Sequence, residues 1–197
     1  MFPKKRARMT NLMTFGTKCT AANRIAWISR QGEDGQHGGS MIENQNIKAF
    51  LRMIAWSEIG PELLTESDDG YNVIVGSRPG DADLFSDYSD HPRKLVDLGH
   101  GLKSTAAGRY QILKRYFDSY KKTLGLKDFG HDSQDRIALQ MIGECRALDL
   151  INKGNIVAAI VRCASRWASL PGNTYQQHMH AVEDLVAAYK DAGGTLA

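Results

Sequence analysis

Glu58 stands four residues after Ile54, in a run where Ile47, Phe50, Leu51 and Ile54 recur at spacings of three and four. That is the period of one face of an α-helix. A carboxyl group at the end of an apolar helical face feels two effects of one sign: burial disfavours its anion, and the helix C-terminus presents negative partial charge. Both raise its pKa. A carboxylic acid still protonated near neutral pH can give its proton to a glycosidic oxygen, the first requirement for cutting a sugar polymer. A glutamate at a helix end can equally be a cap or a surface charge, and position alone leaves both readings open.

Hydrolytic glycosidases pair such an acid with a second carboxylate. The candidates here are Asp68, Asp69, Asp87 and Asp90, all in loop-like sequence where aspartate commonly makes turns. One class of phage lysozymes places an Asp or Cys and then a Thr at fixed short distances after its glutamate, and residues 59–75 do not reproduce that spacing. Zinc chemistry on a peptide stem would need ligands. His178 and His180, with Cys145 or Cys163, are the available set, but residues two apart on a helix point in different directions and no H-E-x-x-H occurs. No metal site and no cofactor are therefore expected. Cys19, Cys145 and Cys163 form neither an even set nor a C-x-x-C pair. Cys163 lies in an apolar run and reads as a small buried hydrophobe. His91 and His100 read as loop histidines.

These residues need a scaffold. After the helix that carries Glu58, the segment from about Gly70 to His100 turns to short β-type runs, 71–76 and 84–88, broken by Gly, Pro and Asp. Ser104 and Thr105 are placed to cap a helix over roughly 107–123, with Ile112, Tyr116, Phe117 and Tyr120 inward. Further helices are expected at about 133–152, 155–167 and 174–191, stopped by Gly154, by Leu170-Pro171-Gly172 and by Gly193-Gly194. The plan is α+β: a mainly helical domain with one β insertion.

The 197 residues, 42% hydrophobic and 24% charged, suit one globular domain with an appendage. Residues 1–40 carry seven Lys/Arg against two acids and end in Gly35-Gln36-His37-Gly38-Gly39-Ser40, so they read as a basic, disordered extension or leader before a domain at 41–197. That domain has 18 basic and 20 acidic residues, and the net charge of +3 comes from the extension. A nucleic-acid-binding face is not supported. No uncharged stretch approaches the roughly 18 residues of a membrane span, and no apolar signal core follows Lys4-Lys5-Arg6-Ala7-Arg8. Stable membrane insertion is not expected.

Five motifs in order carry a family resemblance: Ala55-Trp56-Ser57-Glu58; Gly70-Tyr71-Asn72-Val73-Ile74-Val75-Gly76; the run Phe85 to Val96; Leu102 to Gln111; and Trp167-Ala168-Ser169-Leu170-Pro171-Gly172. From about residue 42 onward the chain resembles the lambda-type phage endolysins, which are lytic transglycosylases. The resemblance implies a lysozyme-like fold with a glycan cleft between a helical lobe and a β-containing lip. It implies peptidoglycan glycan strands as the partner and the MurNAc-GlcNAc bond as the target. Glu58 becomes the sole catalytic carboxylate, acid and then base, and the product is a 1,6-anhydro sugar. Gly108-Arg109-Tyr110-Gln111 corresponds to a Gly-x-x-Gln element at the cleft. Gln111 is then expected to hydrogen-bond the sugar, Gly108 to permit close backbone approach, and Arg109 to meet lactyl or peptide carboxylates. Tyr88 and Tyr175 are the favoured sugar platforms, ahead of Trp167 and Tyr110. Asp87 is grouped with the substrate-binding residues, and is the second acid if the enzyme is instead a water-using muramidase. A catalytically dead glycan-binding module is the non-enzymatic alternative. The resemblance further implies a monomer that accumulates in the host cytoplasm and reaches the periplasm and cell wall once a holin opens the membrane.

Overall fold

The computed structural model describes residues 44–172 and 179–197. The extension 1–40, with Cys19, lies outside the described residues, as do Tyr175 and His178.

Helix α1 (Gln45–Ile59) runs through the core. Asn44 caps it, its side chain accepting from Asn46 N at 2.9 Å and from Ile47 N, a bond type worth about 1 kcal/mol. Ala49, Phe50, Met53, Ile54 and Ala55 are fully excluded from water, and each large apolar side chain among them contributes about 2 kcal/mol by burial. The helix packs against α5 (Leu148–Asn152) and α7 (Val182–Asp191). Asn46 fastens this junction: its amide donates to Ile151 O at 3.2 Å, and its Oδ1 accepts from Thr195 N and Oγ1 at 2.9 and 3.0 Å. Pro61 opens the short α2 (Pro61–Glu66), so α1 cannot continue past Glu58 and Ile59.

The β insertion lies in the expected part of the chain but takes another form. The runs 71–76 and 84–88 meet only in the isolated bridge of Val73 with Leu84, and a second isolated bridge joins Ile74 to Ala107. The one ladder among the described residues joins β1 (Val96–Asp97) to β2 (Lys103–Ser104), antiparallel, with Val96 opposite Ser104. Turn chemistry explains the difference. Ser77 Oγ donates to Ile74 O and accepts from Asp83 N, and Arg78 and Asp81 pair with each other, so backbone groups that a ladder would use are closed locally.

Helix α3 (Lys114–Leu124) begins seven residues later than the expected start at Ala107. Between them the backbone makes a closed turn: Ala107 and Ile112 exchange both backbone hydrogen bonds, at 3.1 and 2.9 Å, and Gly108 and Gln111 have φ of +76° and +46°. Ile112 is buried as expected, from this turn and not from a helix. Thr105 still serves the helix, its Oγ1 accepting from Lys114 N at 3.2 Å. Phe117 and Tyr120 point inward, while Tyr116 is half-exposed. The single helix expected over 133–152 is two, α4 (His131–Glu144) and α5, because Arg146 takes φ +55° and its N–H returns to Gly143 O at 2.8 Å. Helix α6 (Ile156–Cys163) ends short of 167, with Cys163 fully buried. His91 sits in a loop but is buried, between Phe117 and Phe129, with Nε2 donating to Ile112 O at 2.9 Å.

Gln134 of α4 holds the 107–112 turn. It is fully buried, accepts from Arg109 N at 2.9 Å, and donates to Tyr71 O and Phe129 O at 2.9 and 2.8 Å. A Cβ on Gly108 would lie 2.1 Å from Gln134 Oε1, at a φ that favours glycine. Gly108→Ala is therefore expected to destabilise the fold by about 3 kcal/mol, read as a lowered urea midpoint, through strain and loss of the Gln134 bonds.

Candidate active site

Glu58 lies in the last turn of α1 and opens onto a cavity of about 740 Å³. Four stretches of chain line it around Glu58: Val75 and Gly76; Leu95 to Ala106, carrying the β1–β2 hairpin; Gln111 to Tyr116, at the start of α3; and Ser165 to Ala168, after α6. The hairpin offers leucines that no core covers, Leu95 at 62% and Leu102 at 47% exposure.

Burial of the carboxyl raises the Glu58 pKa above its ordinary 4.5, and hydrogen bonds from Ser169 oppose that rise without cancelling it. The position at the end of α1 acts in the same direction as burial. Ser169 Oγ lies 2.5 Å and Ser169 N 3.4 Å from Glu58 Oε1. Ser169 Oγ is also 2.9 Å from Ser57 Oγ, whose own proton goes to Ile54 O at 2.9 Å. A hydroxyl has one proton. With the Ser57 proton committed, the Ser169 proton serves Glu58 when the carboxylate is charged. It turns to Ser57 when Glu58 is protonated and donates to Ser169 itself. The site thus accommodates both protonation states without moving a heavy atom.

His180 completes the support. Its backbone N–H donates to Ser169 O at 3.0 Å, its Nε2 to Ser57 O at 3.2 Å, and its ring lies 4.7 Å from that of Trp56. The histidine considered as a zinc ligand instead ties the Ser169 segment to the end of α1. Among the described residues, no group of three or more His, Cys, Asp or Glu is placed to hold a metal ion.

Of the residues singled out in the sequence, Gln111 lines the same cavity as Glu58, its Nε2 donating to Gly108 O at 3.0 Å. Trp167 also borders it, although the ring is nearly all buried and its Nε1 donates to Tyr110 O at 3.2 Å. Arg109 is 5% exposed, pairs with Asp69, stacks over Tyr71 at 4.9 Å, and is not among the residues that line the cavity. Gly108 approaches Gln134 and not a ligand. Tyr88 gives its hydroxyl to Asp68 at 2.6 Å and meets Phe85 and His131 edge-on, away from the cavity lining. Tyr110 is buried with its hydroxyl on Asp135 at 2.6 Å.

The four candidate second acids are likewise engaged elsewhere. Asp68 accepts from Tyr88 and His131, Asp69 from Arg52 and Arg109, and Asp87 from Ser89 N. The Arg93 hydrogen bond, with Lys121, holds Asp90 down to about 2. None of the four lines the cavity, and among the described residues Glu58 is the only carboxylate that does. Sequence reasoning gave no role to Ser57 or Ser169, and weighed His180 only as a zinc ligand. The two serines stood inside the quoted motifs, but nothing in the sequence joins positions 112 residues apart.

The family model described as Endolysin matches residues 48–196. The chain belongs to the endolysin family. It is accordingly an enzyme of cell-wall lysis. It is 53% identical over 158 residues to the endolysin of Escherichia phage lambda, covering 79% of this chain and 97% of that protein. To the endolysin of Escherichia phage P2 it is 47% identical over 156 residues, covering 77% and 94%. A solved structure of bacteriophage lambda lysozyme complexed with a chitohexasaccharide superposes with a TM-score of 0.72 at 52% identity, over 78% of this chain and 97% of that one. A second lambda lysozyme structure superposes at 0.69 with the same identity and coverage. The α+β architecture is therefore lysozyme-like.

Two measurements follow from the Glu58 environment. With its folded pKa raised, the folded state binds the Glu58 proton more tightly than the unfolded state, so this group's ionisation removes stability as pH rises from 4.5 through the folded pKa. Glu58→Gln is expected to melt higher than the parent near pH 8 and to lose that advantage near pH 4, by calorimetry. Ser169→Ala removes a bond that lowers the Glu58 pKa, so the alkaline limb of kcat/KM is expected to move to higher pH.

Proposed function

We propose that the chain is a peptidoglycan lytic transglycosylase, cutting the β-1,4 bond from MurNAc to GlcNAc and leaving a 1,6-anhydro-MurNAc end. The observation that carries this reading is that Glu58 is the single carboxylate lining the cavity among the described residues, with all four candidate partners engaged elsewhere. Paired hydrolases need two carboxyl groups roughly 5–9.5 Å apart across the scissile bond. One carboxyl suffices when the substrate supplies its own nucleophile.

Protonated Glu58 gives its proton to the glycosidic oxygen as the bond to the muramoyl anomeric carbon breaks, releasing the GlcNAc hydroxyl. The muramoyl 6-hydroxyl attacks the anomeric carbon, and its proton passes to the Glu58 carboxylate. The acid is regenerated, no water is consumed, and the balance closes without a cofactor. Its raised pKa suits the first step, and the Ser169 proton steadies the carboxylate between the two. Gln111 is assigned to a sugar hydroxyl through the part of its amide not given to Gly108. A relative solved with a chitohexasaccharide supports a glycan ligand for this cleft.

In this reading residues 41–197 carry the activity, 1–40 are an N-terminal extension or leader, and the enzyme acts as a monomer. Among the described residues no helix is long and apolar enough to cross a membrane. Release from the host cytoplasm to the periplasm and wall is assigned to a holin.

Mass spectrometry of fragments from purified peptidoglycan tests the reaction. Anhydromuramoyl ends are expected from the parent, with and without EDTA, and a loss of about a hundredfold or more in their rate for Glu58→Gln. Ends carrying an added water would assign a muramidase instead.

A further inference from the structure

The cavity around Glu58 is more cationic than a neutral glycan requires. Lys103 from β2 and Lys114 and Arg115 from the start of α3 all line it, and all three are exposed. Glycan cleavage passes through positive charge at the anomeric carbon, which neighbouring cations oppose. Their placement is locally unfavourable as well. Lys114 and Arg115 are the first two residues of α3, whose first turn holds no acid and whose cap makes no side-chain hydrogen bond. Helix N-termini favour anions. Thr105 Oγ1, which accepts from Lys114 N, and Asp118, one turn on and already paired with Arg93, offset this in part, and a local rule so weakly compensated points to a functional use.

Arg93, Lys94, Lys121 and Arg166 each pair with an acid at close range. Among the described residues, Lys114 and Arg115 enter no ion pair, and Lys103 comes only within 3.9 Å of Asp97. The Arg115 guanidinium lies over the Tyr116 ring at 5.0 Å, on the cavity lining.

We infer that Lys103, Lys114 and Arg115 form a cationic rim that binds the carboxylates of the peptide stems borne by the glycan strand, so that stem-bearing strands are selected over neutral ones. This rests on the proposed glycan substrate. In such a strand the muramoyl lactyl carboxylate is spent in the amide bond to the stem, so the anions within reach of the cleft are the stem's own. Lysine supplies a mobile point charge and arginine a planar donor fork, and both suit carboxylates of varied position. Each exposed pair contributes up to about fivefold in binding, and three acting together give about tenfold at low salt.

The test uses the Glu58→Gln chain, which leaves strands uncut, and titration calorimetry. The probes are soluble stem-bearing strands and the same strands with their carboxylates amidated by methylamine. The free-carboxylate strands are expected to bind about tenfold more tightly at low salt, and the ratio to shrink at higher ionic strength. Lys103→Gln, Lys114→Gln and Arg115→Gln combined should bring the ratio near one without lowering the melting temperature, since two of the removed charges oppose the helix dipole. The charge-keeping set Lys103→Arg, Lys114→Arg and Arg115→Lys should preserve it. A ratio near one in the parent, or one that survives the triple neutral change, overturns the rim. Fragment analysis of the Glu58-containing chain separates the two readings: cleavage without carboxylate preference sinks the rim alone, and preference without cleavage sinks the transglycosylase alone.

Discussion

A carboxyl group enclosed at the end of an apolar helix must be held by the rest of the protein, because its charged form loses water and its neutral form needs a hydrogen-bond partner. Helix α1 meets the first demand by being rigid. Phe50, Met53 and Ile54 have no exposed surface, and Asn46 ties the helix start to Ile151 and Thr195, so the direction of its last turn is set by the core. Ser169 meets the second from far along the chain, and His180 keeps Ser169 against Ser57. An acid whose pKa must be raised but whose anion must also survive a catalytic step calls for this balance of burial against one or two hydrogen bonds.

The Gly108 turn connects that acid to the rest of the cleft. Because Gln134 occupies the space a Cβ would need and bonds three backbone groups around it, residues 107–112 close on themselves and α3 starts only at Lys114. That delay brings Gln111 to the cavity and sets Lys114 and Arg115 at its edge. Beneath the turn, Asp135 accepts both Tyr71 and Tyr110 hydroxyls, and Arg109 lies over Tyr71. Arg109 Nε is buried without a hydrogen-bond partner, which leaves this cluster tightly packed and incompletely satisfied. It braces the cleft from behind.

The cavity therefore has two chemically distinct borders. The hairpin leucines suit the apolar faces of sugar rings, while Lys103 at the hairpin's β2 and the start of α3 present cations suited to whatever charge the polymer carries. A wall polymer has both features, a neutral backbone and charged branches. The acid between these borders needs no second carboxylate if the sugar's own hydroxyl completes the reaction.

Much of this was legible locally. The three-and-four spacing from Ile47 to Ile54 located α1 and put Glu58 at its end, and the inward residues Phe117 and Tyr120 followed from the same periodicity, since a helix's buried face is written in its own sequence. The breaks at Gly108, Gln111 and Arg146 were not legible, because Gln and Arg give no sign that distant packing will hold them at positive φ. Arg109 and Tyr88 read from the sequence as ligand contacts, and nothing local shows that their polar groups go to Asp69 and Asp68. The sequence by itself determined which acid sits on an apolar face and the order of helical and irregular segments. Only the tertiary structure decided that Ser169 and His180 hold that acid, that no other described carboxylate shares its cavity, and which cations border it. Those contacts join residues up to 123 positions apart, and local periodicity contains no information about pairings made by chain folding.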